Sequence, residues 1–114
     1  MMTLKEIVKQ SWQTADDKGW HEDATKKPAE DIALMHSELS EALEELRRHH
    51  PAFVYFTLDD QGVDKPEGCP VELADVLIRI GDFCEVHGVD LERAVSLKQT
   101  YNKTRKHRHG GKKF

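Results

Sequence analysis

Apolar positions recur with helical spacing in four separate stretches, and Pro, Gly and Asp punctuate the gaps between them. Leu4, Ile7, Val8, Trp12 and Ala15 predict a first helix from Thr3 to about Lys18, stopped by Gly19. A polar connection from Gly19 to Lys27 follows and carries Trp20 and His21. Pro28 opens a second helix to about Arg48, with Glu30 and Asp31 at its positive end. Its apolar side is Ile32, Met35, Leu39, Ala42, Leu43 and Leu46, and Pro51 halts it.

Phe53-Val-Tyr-Phe-Thr-Leu58 has strand composition, but no partner strand is legible. Residues Pro51 to Gly68 are therefore expected to form a loop with at most one short helical turn. Its aromatics would pack over the bundle or a neighbouring copy. Pro70 opens a third helix, apolar on most faces through Val71, Leu73, Ala74, Val76, Leu77, Ile78, Ile80, Phe83 and Cys84, and Gly88 ends it. Such a helix belongs at the centre of a bundle. Asp90 caps a fourth helix to about Arg105, with Leu91, Ala94, Val95, Leu97 and Tyr101 on its buried side. The pattern predicts an all-α four-helix bundle as one domain over residues 1–114, with 107–114 a flexible basic tail marked by Gly110 and Gly111. One chain of 114 residues buries only a modest core, so completion by homo-oligomerisation is expected.

No run of 18 apolar residues and no signal-peptide core occurs, so a cytoplasmic protein without membrane contact is expected. Cys69 and Cys84 form neither a disulfide framework nor a CxxC pair; Cys84 fits a small core residue. The seven histidines lack cysteine partners at zinc spacing, and His49-His50 and His107-Arg-His109 sit among basic residues that repel a cation. The net charge of −4 is unevenly spread. From Lys98 onward there are seven Lys or Arg and no acid, leaving ten basic residues against 21 acids before it, a net of −11. An acidic body with a basic tail suits carboxylates that metal ions neutralise and a tail that meets a polyanion; the ordinary alternative is a solvated terminus.

The chemistry lies in two pairs of acids. Glu38 and Glu41 on the second helix, and Glu72 and Asp75 on the third, are each spaced i, i+3 and so share a helix face. Glu38 and Glu41 alone read as a solvated face. Glu72 and Asp75, however, interrupt the most apolar stretch of the chain, where a carboxylate needs a cation or a basic partner such as Arg79. Side by side, the two helices would gather four carboxylates. An all-oxygen set suits Mg²⁺, with Mn²⁺ a substitute.

These residues carry a resemblance. Leu34-Met-His-Ser-Glu-Leu-Ser-Glu-Ala-Leu-Glu-Glu-Leu-Arg47 and Glu72-Leu-Ala-Asp-Val-Leu-Ile-Arg79, the latter led by Lys65-Pro-Glu-Gly68, resemble the two metal helices of the MazG-like all-α nucleoside triphosphate pyrophosphohydrolases, whose superfamily includes dimeric dUTPases and dCTP pyrophosphatases. Lys98-x-x-x-Asn102-Lys-Thr-Arg105, the ending His109-Gly-Gly-Lys-Lys-Phe114 and Lys18-Gly-Trp20 are similar too. Two positions depart from the family pattern: Ser37 stands where many members have Glu, and Lys106 where Pro is common.

The resemblance implies Mg²⁺-dependent hydrolysis of an NTP or dNTP to monophosphate and pyrophosphate. Glu38, Glu41, Glu72 and Asp75 would be the metal ligands, with Glu41 also the acceptor of the water's proton. It implies phosphate contacts from Lys98 and Asn102, closure by Arg105 and Lys112, and dimers or dimers of dimers, so a homodimer or homotetramer is expected. Trp20 and His21, beside the Gly19 turn, would stack on the base; the ordinary alternative for a Trp next to a helix end is a packing role. A different class remains open: a non-catalytic helical module that binds nucleic acid or a protein through its basic tail. It leaves Glu72 and Asp75 without a reason.

Overall fold

The computed structural model describes residues 2–22 and 27–106. Four helices, α1 (Leu4–Asp17), α2 (Pro28–Leu46), α3 (Cys69–His87) and α4 (Leu91–Thr104), enclose a two-stranded hairpin of β1 (Tyr55–Leu58) and β2 (Asp64–Glu67) in the chain order. Each helix begins and ends on local chemistry. The Thr3 hydroxyl accepts from the Glu6 amide at 3.2 Å and donates to the Glu6 carboxylate at 3.1 Å, closing the first turn of α1 from both sides. Pro28 and Pro70 occupy the first turns of α2 and α3. The Asp90 carboxylate accepts from the Arg93 amide at 3.0 Å and caps α4. Gly88, with φ of +66°, ends α3 in the left-handed region that glycine enters at low cost.

The 51–68 segment corrects the expectation of a loop. β1 does have a partner: β2 pairs with it antiparallel, setting Tyr55 opposite Glu67 and Leu58 opposite Asp64. The second strand, Asp64-Lys-Pro-Glu67, is polar and contains a proline, so neither alternation nor composition marks it. A two-stranded sheet tolerates Pro66 because both strands are edges. The Asp59 carboxylate accepts from the amides of Gln61 and Val63 at 2.8 and 2.9 Å and shapes the turn. Tyr55 donates from its hydroxyl to Glu45 near the end of α2, at 3.0 and 3.1 Å to the two oxygens, and its ring lies against His49 and Phe53. The hairpin is thereby moored to α2, and it leads directly into α3.

The third helix is central: α3 packs against α2 on one side and α1 on the other, while α4 rests mainly on α1. Gly81 is the crossing point with α1, where a Cβ would stand 2.9 Å from the Ser11 hydroxyl and 3.2 Å from the Val8 Cα. The buried side chains are few and small: Val8, Ser11, Ala15, Met35, Ala42, Cys69 and Cys84. Met35 and Ala42 turn one stripe of α2 inward, whereas Leu39, Leu43 and Leu46, at i, i+4 and i+7, make a second stripe that the single chain leaves exposed. Leu73 and Leu77 of α3 and Phe56 and Leu58 of β1 are exposed as well. The expected buried side of α4 is likewise open: Val95, Leu97 and Tyr101 face solvent, and only Leu91 is partly covered. No helix among the described residues is long and apolar enough to cross a membrane.

Candidate active site

Side-by-side packing of α2 and α3 brings the acids of the two motifs together. One carboxylate oxygen each from Glu38, Glu72 and Asp75 lie within 4.8 Å of one another. All three residues are half-buried where α2 and α3 pack side by side. Burial, followed by the charges of Asp75, Glu38 and Glu41, pushes the Glu72 carboxyl up from 4.5 to about 7. Burial also pushes Asp75 upward, helped by Glu38 and opposed by Arg79 and Lys65. A cluster in which one acid keeps its proton near neutral pH is short of positive charge.

Arg79 supplies part of that charge. Its Nε and Nη2 both stand 3.0 Å from one oxygen of Glu38. The sequence offers Arg79 as a partner for Glu72 or Asp75; the side chain instead crosses from α3 to Glu38 on α2. Lys65 on β2 is a second cation near the cluster, although its closest acid is Glu67 at 3.2 Å. The sequence marks Lys65 only as part of the lead-in to α3; the strand that brings it beside the cluster carries no pattern of its own. Glu41 stands outside the close trio. It is exposed on the rim, near enough for its charge to act on Glu72. Ser37, where the resemblance leads one to expect an acid, turns its hydroxyl back to the Leu34 carbonyl at 2.9 Å.

A cavity of about 130 Å³ adjoins this site, lined by Ser11, Ala15, Trp20, Ile78, Arg79 and Asp82. Arg79 is common to both, reaching Glu38 on one side and walling the cavity on the other. Trp20, 63% exposed, forms the outer wall. Beside it, His21 bridges Asp16 and Asp82. His87 lies 4.0 Å from Asp31 and against the Phe83 ring, a contact between α3 and α2.

The basic positions of α4 are not gathered into the site within one chain. Lys98, Asn102 and Arg105 are exposed, with Lys98 over the Tyr101 ring at 5.0 Å. Among the described residues, no ion pair or hydrogen bond joins their side chains to the acidic trio. Lys112 and the 107–114 tail lie outside the described residues.

The donor set fits a hard divalent cation: three carboxylates, no sulfur or imidazole, and a proton that a cation would displace. Comparison with protein-family models, curated proteins and solved structures gives no match to this chain.

Proposed function

We propose that the chain is a MazG-like, Mg²⁺-dependent pyrophosphohydrolase that cleaves an NTP or dNTP to the monophosphate and pyrophosphate. The observation that carries this reading is the convergence of Glu38, Glu72 and Asp75 from two helices onto one half-buried patch. Acids placed only for solubility have no reason to be packed together against apolar sequence, at the cost of holding one carboxyl up to about 7.

Mg²⁺ or Mn²⁺ would be held by Glu38, Glu72 and Asp75, with Glu41 at the rim; when bound, such an ion polarises a phosphate and acidifies water. The protein's own part is distinct. Arg79 fixes the Glu38 carboxylate and presents a guanidinium between cluster and cavity, where its planar donors suit a phosphate oxygen. Glu41, exposed and near enough for its charge to act on Glu72, would accept the proton of the attacking water. The Trp20 cavity is smaller than the roughly 300–1,000 Å³ of sites that enclose drug-sized ligands. It suits one planar ring, with the phosphates outside it toward the acids.

Lys98, Asn102 and Arg105 would serve phosphate from a neighbouring copy. The Leu39–Leu43–Leu46 stripe, Leu73, Leu77 and the outer face of β1 offer the apolar surface for such an assembly. This makes a homodimer or homotetramer part of the reading. The test is pyrophosphate release from a panel of canonical and damaged NTPs and dNTPs with Mg²⁺. The wild type should turn over at least one of them and Asp75→Asn none, while both remain folded. Equal turnover by Asp75→Asn would remove the cluster from the chemistry.

A further inference from the structure

The contact that the nucleotide reading does not use is the one around His21. Its Nδ1 stands 3.2 Å from the Asp16 carboxylate on α1, and its Nε2 stands 2.7 Å from the Asp82 carboxylate on α3. The ring stacks on Trp12 with centroids 5.4 Å apart and planes 27° from parallel. An ionised carboxylate only accepts hydrogen bonds, so each contact needs an N–H from the ring. A neutral imidazole has one N–H and an imidazolium has two. Both contacts are hydrogen-bonded together only in the charged form.

What this pair holds is the turn after α1. Backbone bonds tie that turn to α1: the Gly19 amide donates to Asp16 and the Trp20 amide to Ala15, at 3.0 and 2.9 Å. The His21 ring extends the tie to α3, and Asp82 also lines the cavity whose outer wall is Trp20. We propose that His21 is a protonation-dependent clamp that holds the 19–22 turn against α3 and so positions Trp20 over the cavity.

The charged groups that bond the ring are Asp16 on α1 and Asp82 on α3; Arg79 lines the cavity beside Asp82, and Lys18 and Glu22 flank His21 in the sequence of the turn. Asp17, the remaining acid at the end of α1, is engaged by the Gln13 amide at 2.8 Å. Burial lowers the affinity of His21 for its proton, but hydrogen bonds to Asp16 and Asp82, with their charges, outweigh it and raise the value above 6.5. A raised value in the folded protein means that the clamp is complete below 6.5 and is lost as pH rises through the folded value. Neutral His21 keeps one of the two carboxylates and releases the other.

The proposal needs neither metal nor nucleotide, so its failure and that of the nucleotide reading are separate results. It is tested on the full chain by NMR, following the His21 ring nitrogens and the Trp20 indole N–H through a pH titration without Mg²⁺. The His21 midpoint should lie above 6.5, and the Trp20 signal should move with the same midpoint. Asp82→Asn should lower both midpoints together, and in His21→Gln, which keeps a single amide donor, the Trp20 transition should vanish. A His21 midpoint at or below 6.5 would overturn the clamp. So would a Trp20 transition that survives in His21→Gln, since it would then report the Glu72 cluster instead.

Discussion

Replacing Glu72 by Gln should stabilise the metal-free protein and abolish its response to Mg²⁺, a reversal of sign that few structural substitutions produce. The side chain stays the same size and the charge disappears. In the folded protein the Glu72 carboxyl is held up at about 7, against an ordinary 4.5. A group whose value is raised on folding contributes stability that is complete below the ordinary value and is lost as pH rises through the folded one. At about 1.4 kcal/mol per pH unit, the full displacement would correspond to about 3 kcal/mol. Solvent reaches the half-buried cluster and screens part of it, leaving on the order of 1–2 kcal/mol. At roughly 3–6 °C of melting temperature per kcal/mol for a domain of this size, Glu72→Gln should melt about 3–12 °C above wild type at pH 8 without metal. The two should converge only as pH falls well below 4.5, where Glu72 is protonated in both states. Millimolar Mg²⁺ should then raise the wild type and leave the variant almost unmoved. Thermal melts at several pH values, with chelator and with Mg²⁺, provide the comparison. His21 contributes a loss of the same sign above 6.5, so the quantity to follow is the difference between wild type and variant at each pH. A difference that does not change with pH, or a variant less stable than wild type at pH 8 without metal, would refute the reasoning.

Gly81→Ala should lower the denaturant midpoint: overpacking against Ser11 and Val8 costs about 1–3 kcal/mol, which exceeds the ~1 kcal/mol that Ala gains over Gly in a helix. An unchanged midpoint would mean that α1 slides freely on α3. Truncation after Lys106 should raise KM for the triphosphate and leave the melting temperature nearly unchanged, whereas a large loss of stability would make the tail structural. Light scattering after size exclusion should give a multiple of 13.1 kDa; a monomer still active at high dilution would contradict the assembly.

Helix limits were legible because their signals are local. Pro28, Gly88 and Asp90 act within one turn of their own positions, and the structure has each helix end within two residues of where they put it. The hairpin was not legible, since β2 is defined by its pairing to β1 and its own residues, Asp64 to Glu67, carry no strand pattern. The i, i+3 spacing placed each acid pair on one face, but spacing within a helix says nothing of rotation between helices. That rotation brings Glu38 to Glu72 and Asp75 and leaves Glu41 at the rim. Arg79 was legible as a cation on the same face as Asp75, though its bond to Glu38 spans 41 positions of sequence. The contact of His21 with Asp82 spans 61, and no local signal announces it. The open apolar stripe on α2 was visible as periodicity, but only the fold separates Met35 and Ala42, which are covered, from Leu39, Leu43 and Leu46, which are not.

The central claim is that this cluster hydrolyses a nucleoside triphosphate between the α and β phosphates. Phosphorus-31 NMR of the full-length protein with Mg²⁺ and a panel of NTPs and dNTPs reads the products directly. The account predicts a pyrophosphate signal growing in step with one of nucleoside monophosphate, lost with chelator and absent in Asp75→Asn. Orthophosphate with nucleoside diphosphate, or no turnover of any triphosphate by the folded wild type, would contradict it.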